Sequence, residues 1–214
     1  MIGALVLAVA APTAAAPAPQ TAIDAERACA ADAQSKGQWT AFRQWAAPDA
    51  LMFTPRPVRA HDFLKNLKDP PTAVFWWPGA SFVSCDGNTA VNSGPWVREW
   101  GKSVGYFTTV WKRQPKTGWQ WVYDAGDALS VPRAQGGDIA PVTASCTSPP
   151  RPMFAQHAPP SASGIEIGNG RSDDRTLLWS WRVTADGARR FWVYQWDGRT
   201  MVKVIDDQVA APPR

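Results

Sequence analysis

The stretch 103-SVGYFTTVWKRQPKTGWQWVY-123 decides the fold. From Ser103 to Arg113 the pattern has a period of two. Val104, Tyr106, Thr108 and Val110 face one way, and Phe107, Thr109 and Trp111 face the other. Pro115-Lys116-Thr117-Gly118 has the chemistry of a hairpin turn, and Trp119, Trp121 and Tyr123 are then predicted to share one face of the return strand.

Upstream the same period continues. Residues 73–77 are strongly apolar until Pro78-Gly79 breaks the strand as a bulge or bend would. The strand resumes over 81–85, turns at Asp86-Gly87-Asn88 and returns from Thr89 to about Trp100, with a kink at Gly94-Pro95. Further upstream the spacing is helical. Residues 22–36 form a first helix stopped by Lys36-Gly37, and 38–46 a second with Trp39, Phe42 and Trp45 at three-residue steps. A short strand over 50–54 and a third helix over 61–67 complete this half. Three short helices followed by an antiparallel meander make an α+β domain over residues 21–132. A strongly bent sheet wrapped on helices encloses a cavity open at one end, a favoured ligand site.

Downstream, residues 133–163 are rich in proline and glycine and read as a semi-extended linker. Residues 164–209 form a second block of three strands, with hairpin signals at Asp186-Gly187 and Asp197-Gly198. Leu177, Trp179, Trp181 and Val183 share one face of the first, and Trp192, Tyr194 and Trp196 one face of the second. So small a sheet is marginal alone. Its tryptophan face is expected to pack on the first domain, with extension of that domain's sheet as one arrangement.

Residues 1–23 carry no charge, and Ile2–Ala11 is an apolar run too short for the ~20 residues that a bilayer span needs. With the small residues that follow, 1–20 reads as a secretory signal, although no Lys or Arg precedes the run. An Ala/Pro tail is the competing reading. Export implies a periplasmic or secreted protein with no transmembrane segment in its mature form. That compartment permits a disulfide among the three cysteines, and Cys85–Cys146 is the expected pair, with Cys29 a core residue of the first helix.

The net charge of +4 is scattered rather than striped, which argues against nucleic-acid binding. Gly-x-Ser-x-Gly, phosphate loops and dinucleotide glycine fingerprints are absent. There is no CxxC and no paired histidine, so neither cofactor nor metal is expected. The 13 tryptophans supply large apolar rings for core and pocket alike.

Several motifs occur in a telling order: Glu26-Arg27-Ala28, Gly37-Gln38-Trp39, Phe53-Thr54-Pro55, Trp77-Pro78-Gly79, Ser84-Cys85-Asp86-Gly87, Gly94-Pro95-Trp96, Gly105-Tyr106-Phe107, Val110-Trp111-Lys112-Arg113, and Gly118-Trp119 to Tyr123-Asp124. Over roughly residues 22–130 this series resembles the nuclear transport factor 2-like, or SnoaL-like, superfamily. The resemblance implies a cone-shaped α+β domain with an interior cavity, often dimeric through its sheet. It implies no single activity, since members include isomerases, cyclases, dehydratases and binding or scaffolding domains. Many relatives carry a histidine near position 125, where this chain has Ala125.

Proton transfer beside a carbonyl needs a carboxylate or histidine and a donor for the oxyanion. Asp124 and His61 are the candidate catalytic residues, and Tyr106 the candidate donor. Trp77, Trp96, Tyr106 and Trp111 are the candidate ligand-binding residues, with strand alternation letting only one of Trp76 and Trp77 face inward. Three readings follow. The first is a protein that binds a small apolar or aromatic ligand or serves as a structural module. The others are an isomerase-, cyclase- or dehydratase-type enzyme, and an envelope protein–protein interaction module or sheet-mediated homodimer.

Overall fold

A computed structural model describes residues 18–134, 138–148 and 164–213. The export signal expected over 1–20 lies almost wholly outside these residues, and so do 135–137 and 149–163 of the linker expected over 133–163.

Helix α1 (Ala22–Lys36) begins at a capping box, with Thr21 Oγ1 accepting from the Asp24 amide at 3.1 Å and the Asp24 carboxylate accepting from the Thr21 amide at 3.0 Å. Its buried face is made of small residues, Ala22, Ala25, Cys29 and Ala33, so the helix lies close against the sheet. Helix α2 (Gln38–Trp45) starts at Gly37, which has no side chain to cap with. Asp69 serves instead, accepting from the Thr40 amide at 2.9 Å and the Thr40 hydroxyl at 2.6 Å. The aromatics of α2 pack edge-on: Phe42 against Trp76 and Trp121, and Trp45 against Trp111. Helix α3 (Ala60–Leu64) is shorter than its sequence suggests.

The strands β1 (Ala46–Phe53), β2 (Pro57–Arg59), β3 (Phe75–Trp76), β4 (Ala80–Val83), β5 (Thr89–Arg98), β6 (Ser103–Gln114), β7 (Gly118–Leu129) and β8 (Val142–Thr143) form one sheet. Its order is β2-β1-β7-β6-β5-β4-β8, with β3 paired to β5. All pairings are antiparallel except β1 on β7 and β8 on β4. The 133–163 segment, expected to hold no regular structure, therefore adds a short edge strand.

The register of β6 on β7 slips by one residue. Trp111 faces Trp121 and Val110 faces Tyr123, which leaves Val122 as the extra residue of a β-bulge. Trp119 and Trp121 point to the helices, while Tyr123 points to the opposite face. The expectation that all three share one face is thus corrected, because a bulge resets the alternation.

A second sheet, β12-β11-β10-β9, contains β9 (Glu166–Arg171), β10 (Leu177–Val183), β11 (Arg189–Trp196) and β12 (Met201–Val209). It has four strands, not three. Strand β9 carries Gly168 and Gly170 opposite Trp181 and Trp179, where a β-carbon would collide with the indole rings. This sheet stacks face to face on the first rather than lengthening it. Leu177, Trp179, Trp181, Val183, Phe191, Val193 and Ile205 meet Val91, Val110 and Tyr123 in one cluster. From β10 the expected face is buried. From β11 the buried face is Phe191, Val193 and Gln195, with Trp192, Tyr194 and Trp196 on the outer side, the reverse of the emphasis in the sequence.

The stacking is pinned at several points. Cys85 and Cys146 form a disulfide with Cα atoms 5.2 Å apart. The Cys85 amide donates to Thr176 Oγ1 at 2.9 Å, and the Asp86 amide donates to Asp174 at 2.7 Å. Between the sheets, Arg133 pairs with Asp207 at 2.7 Å, and Thr108 donates to the other oxygen of Asp207 at 2.6 Å. Arg189 holds Asp127 at 3.2 Å. The face of the first sheet at Val91, Val110 and Tyr123 is therefore covered by the same chain. Among the described residues no helix is long and apolar enough to cross a membrane.

Candidate functional site

Between the helices and the first sheet lies a cavity of about 360 Å³. Met52, Trp39, Phe42, Trp76, Trp96, Phe107, Trp111 and Trp121 supply most of its wall. The bulge at Val122 aims Asp124 into this space. An unbulged ladder would put Tyr123 inward and Asp124 outward. Thr109, opposite Asp124 on β6, donates its hydroxyl to Asp124 Oδ2 at 2.7 Å. Burial pushes the Asp124 carboxyl up to about 7, and the Thr109 hydrogen bond pulls only part of the way back.

A second carboxyl lines the same cavity. Glu26 is almost fully buried on α1, where Trp76 Nε1 donates to Oε1 at 2.9 Å and Trp111 Nε1 to Oε2 at 2.6 Å. Asn92 Nδ2 adds a longer bond to Oε2 at 3.3 Å. Burial pushes Glu26 up to about 7 as well. The Trp111, Trp76 and Asn92 donors oppose that rise, and the Asp124 charge adds to it. Sequence reasoning quoted Glu26 only as part of a motif. The available signal was its position on the small-residue stripe of Ala22, Ala25, Cys29 and Ala33, where a charged residue has no solvated side to occupy.

The remaining candidates divide. Trp96 and Trp111 line the cavity, with Trp96 lying over Gly105, which has no β-carbon to displace the ring. Trp76, not Trp77, is the inward member of its pair. Trp77 lies outside the cavity wall against Phe75, since successive side chains alternate across a strand. Tyr106 reaches the cavity's edge but shares its face with Thr108 and Val110, towards the second sheet, where the Arg133 guanidinium sits 4.1 Å from its ring centre. Burial raises its phenol above the usual range. As a donor inside the cavity Tyr106 is misplaced. His61 is exposed on α3 and does not line the cavity. Cys29 lines the deep end, its thiol raised by burial.

Gln38 is the polar group that the sequence did not flag. It is buried at the start of α2, lines the cavity, and accepts from the Val74 amide through Oε1 at 3.0 Å. Its amide N–H₂ has no hydrogen bond among the described residues. The cavity thus offers a broad aromatic wall, one carboxyl held by a single hydroxyl, a second held by two indoles and the Asn92 amide, and the free amide donor of Gln38.

No family model matches the sequence, and no curated protein is similar to it. Among solved structures, the chain is similar to a ketosteroid isomerase-like protein from Parabacteroides distasonis, at 14% identity and a TM-score of 0.43 over 52% of this chain and 90% of that one. It is also similar to a nuclear transport factor 2-like superfamily protein from Salmonella enterica, at 20% identity and a TM-score of 0.34 over 46% of this chain and 82% of that one. A third is a DUF3225 family protein of unknown function from Pectobacterium atrosepticum, at 13% identity and a TM-score of 0.37 over 52% of this chain and 94% of that one.

Proposed function

We propose that the cavity binds a small, mainly apolar molecule bearing a carbonyl group, and that Asp124 moves a proton on the carbon beside that carbonyl, an isomerase-type reaction. One observation carries this reading: a carboxyl inside an aromatic cavity, held by one hydroxyl and raised to about 7, where it is both basic and partly ionised at neutral pH. Asp124 takes the proton, the C–H electron pair moves into the enolate, and the same carboxyl returns the proton to another carbon. Gln38 is the donor we assign to the enolate oxygen. The aromatic wall, the inside of a cone in this reading, excludes water and orients a flat molecule.

In this reading the protein works in the periplasm or outside the cell, and the Cys85–Cys146 disulfide supports an oxidising compartment. A binding protein without turnover would use the same wall and would have no need of Asp124. An envelope interaction module would call for an open apolar sheet face, and here that face carries the C-terminal sheet.

The test is deuterium wash-in. Wild-type protein in D₂O is incubated with a panel of cyclic and aryl ketones, and exchange beside the carbonyl is followed by ¹H NMR. Asp124→Asn should retain ligand-induced shifts and lose exchange by at least about 100-fold. Undiminished exchange by the variant would remove Asp124 as the base. Binding with no exchange by the wild type would leave a binding protein.

A further inference from the structure

The end of the first sheet that carries the cavity mouth also carries a row of exposed apolar residues. Of the residues lining the cavity, Arg98 and Ala128 are the exposed ones, which places the opening at the β5–β6 turn and the end of β7. At this end Phe75 pairs with Val97, Val104 pairs with Leu129, and the turn Glu99–Gly101 projects beyond both pairs. Phe75 is 53% exposed, Val131 just past Leu129 is 70% exposed, and Trp100 at the tip is 103% exposed. Among the described residues, no other group covers that indole.

The backbone at the tip is strained for the residues it holds. Glu99 and Trp100 have φ of 48° and 59°, and Gly101 follows at 90°. A bulky side chain in the left-handed region costs conformational energy that glycine or asparagine would avoid. Among the described residues no packing offsets it. A strained turn that presents a tryptophan to solvent points to a contact made outside the molecule. Arg98 and Lys102 flank Trp100 in the chain, both exposed, with the Arg98 guanidinium 5.0 Å from the centre of the Trp96 ring at the mouth and Glu99 the one acidic residue of the turn. Asp127, the other carboxylate at this end, is engaged by Arg189. A protruding indole with two cations close to it in the same turn suits the boundary of an anionic lipid layer, where the ring sits at headgroup level and the cations meet phosphate.

We infer that the cavity mouth docks on an anionic lipid surface, with Trp100 as the inserted residue and Phe75, Leu129 and Val131 as its apolar flank. An apolar ligand would then enter the cavity from the lipid rather than from water. This second step rests on the reading of the cavity as a small-molecule site, whereas the docking itself does not.

The experiment is co-sedimentation of the mature protein with vesicles of phosphatidylcholine alone and of phosphatidylcholine with phosphatidylglycerol at three to one. Wild type should bind the anionic vesicles and release as salt is raised. Trp100→Ala, whose native side chain packs against none of the described residues, should fold normally and lose about tenfold in affinity. Lys102→Glu should weaken binding to anionic vesicles only. Asp124→Asn should bind vesicles like wild type, so a failed cavity reading and a failed docking reading leave different marks. Absence of vesicle binding by wild type, or equal binding by Trp100→Ala, would overturn the inference. So would self-association of wild type that Trp100→Ala abolishes without any vesicle binding, since that would assign the tip to a second copy of the chain.

Discussion

The indole of Trp111 donates to Glu26 at 2.6 Å, so the central strand β6 is tied to helix α1 through the only polar atom that the tryptophan has. Trp76 donates to the other oxygen and brings β3 into the same bond set. Glu26→Gln keeps an acceptor for one indole and turns an N–H₂ towards the other. A buried donor left unpaired costs roughly 1–3 kcal/mol. Glu26→Ala should cost more, since it unpairs both indoles and leaves a void. Urea unfolding followed by near-ultraviolet circular dichroism would read both the loss and the freed indoles.

Asp124 gives the stability a particular pH dependence. Its carboxyl titrates near 7 in the folded chain and near its ordinary value, about 4, in the unfolded one. Between those values the folded state holds more protons, so stability falls as pH rises from about 4 to about 7 and levels off above. Asp124→Asn should remove about 4 kcal/mol of that fall, three units at about 1.4 kcal/mol each, and leave the smaller part that Glu26, raised alike, contributes. Thermal melts of both proteins at half-unit steps would measure it. Parallel curves would show that Asp124 ionises in the fold as it does in water.

The disulfide closes a long loop. Cys85 and Cys146 are 61 residues apart, and a cross-link of that span removes unfolded-state entropy worth about 4 kcal/mol. Cys85→Ala with Cys146→Ala should lower the denaturation midpoint accordingly while the cavity, on the other side of the sheet, keeps its ligand response. The comparison of both forms in guanidinium, with one ligand titration each, checks this.

Arg133 and Asp207 hold the two sheets together at the level of Thr108. Asp207 is nearly buried, so Arg133→Ala would leave a carboxylate with its countercharge gone. We expect a loss of roughly 2–4 kcal/mol, below the value for a fully buried pair because Arg133 is partly solvated. Asp207→Asn, which keeps an acceptor for the Thr108 hydroxyl, should cost less. A double-mutant cycle between positions 133 and 207 would isolate the pair.

Much of this architecture was legible in the sequence. The first helix, the alternation of Phe107, Thr109 and Trp111 against Thr108 and Val110, and the buried face of β10 all follow from periodicity in runs without interruption. The errors arise where periodicity is broken or ambiguous. Counting by twos across Val122 puts Tyr123 beside Trp121, because nothing in the composition of 119–123 announces a bulge. In β11 both faces are apolar, so the pattern alone cannot choose. The choice is made by register, Trp181 opposite Phe191 and Trp179 opposite Val193. Strand β9 was missed because Gly168 and Gly170 read as loop until the rings they accommodate are known. In the site, Asp124 could be named from its place at the end of the meander. Glu26 carried a weaker signal, its place among the small residues of the first helix, and Gln38 none, because its role depends on how the start of α2 meets the sheet.

The C-terminal sheet has a consequence for how this chain lives among other proteins. It supplies, from within one polypeptide, the surface that the outer face of the first sheet would otherwise have to borrow from a neighbour. A chain cut before residue 164 would bare Val91, Val110 and Tyr123 at once, and would be driven to seek another molecule to cover them. The intact chain carries its own companion.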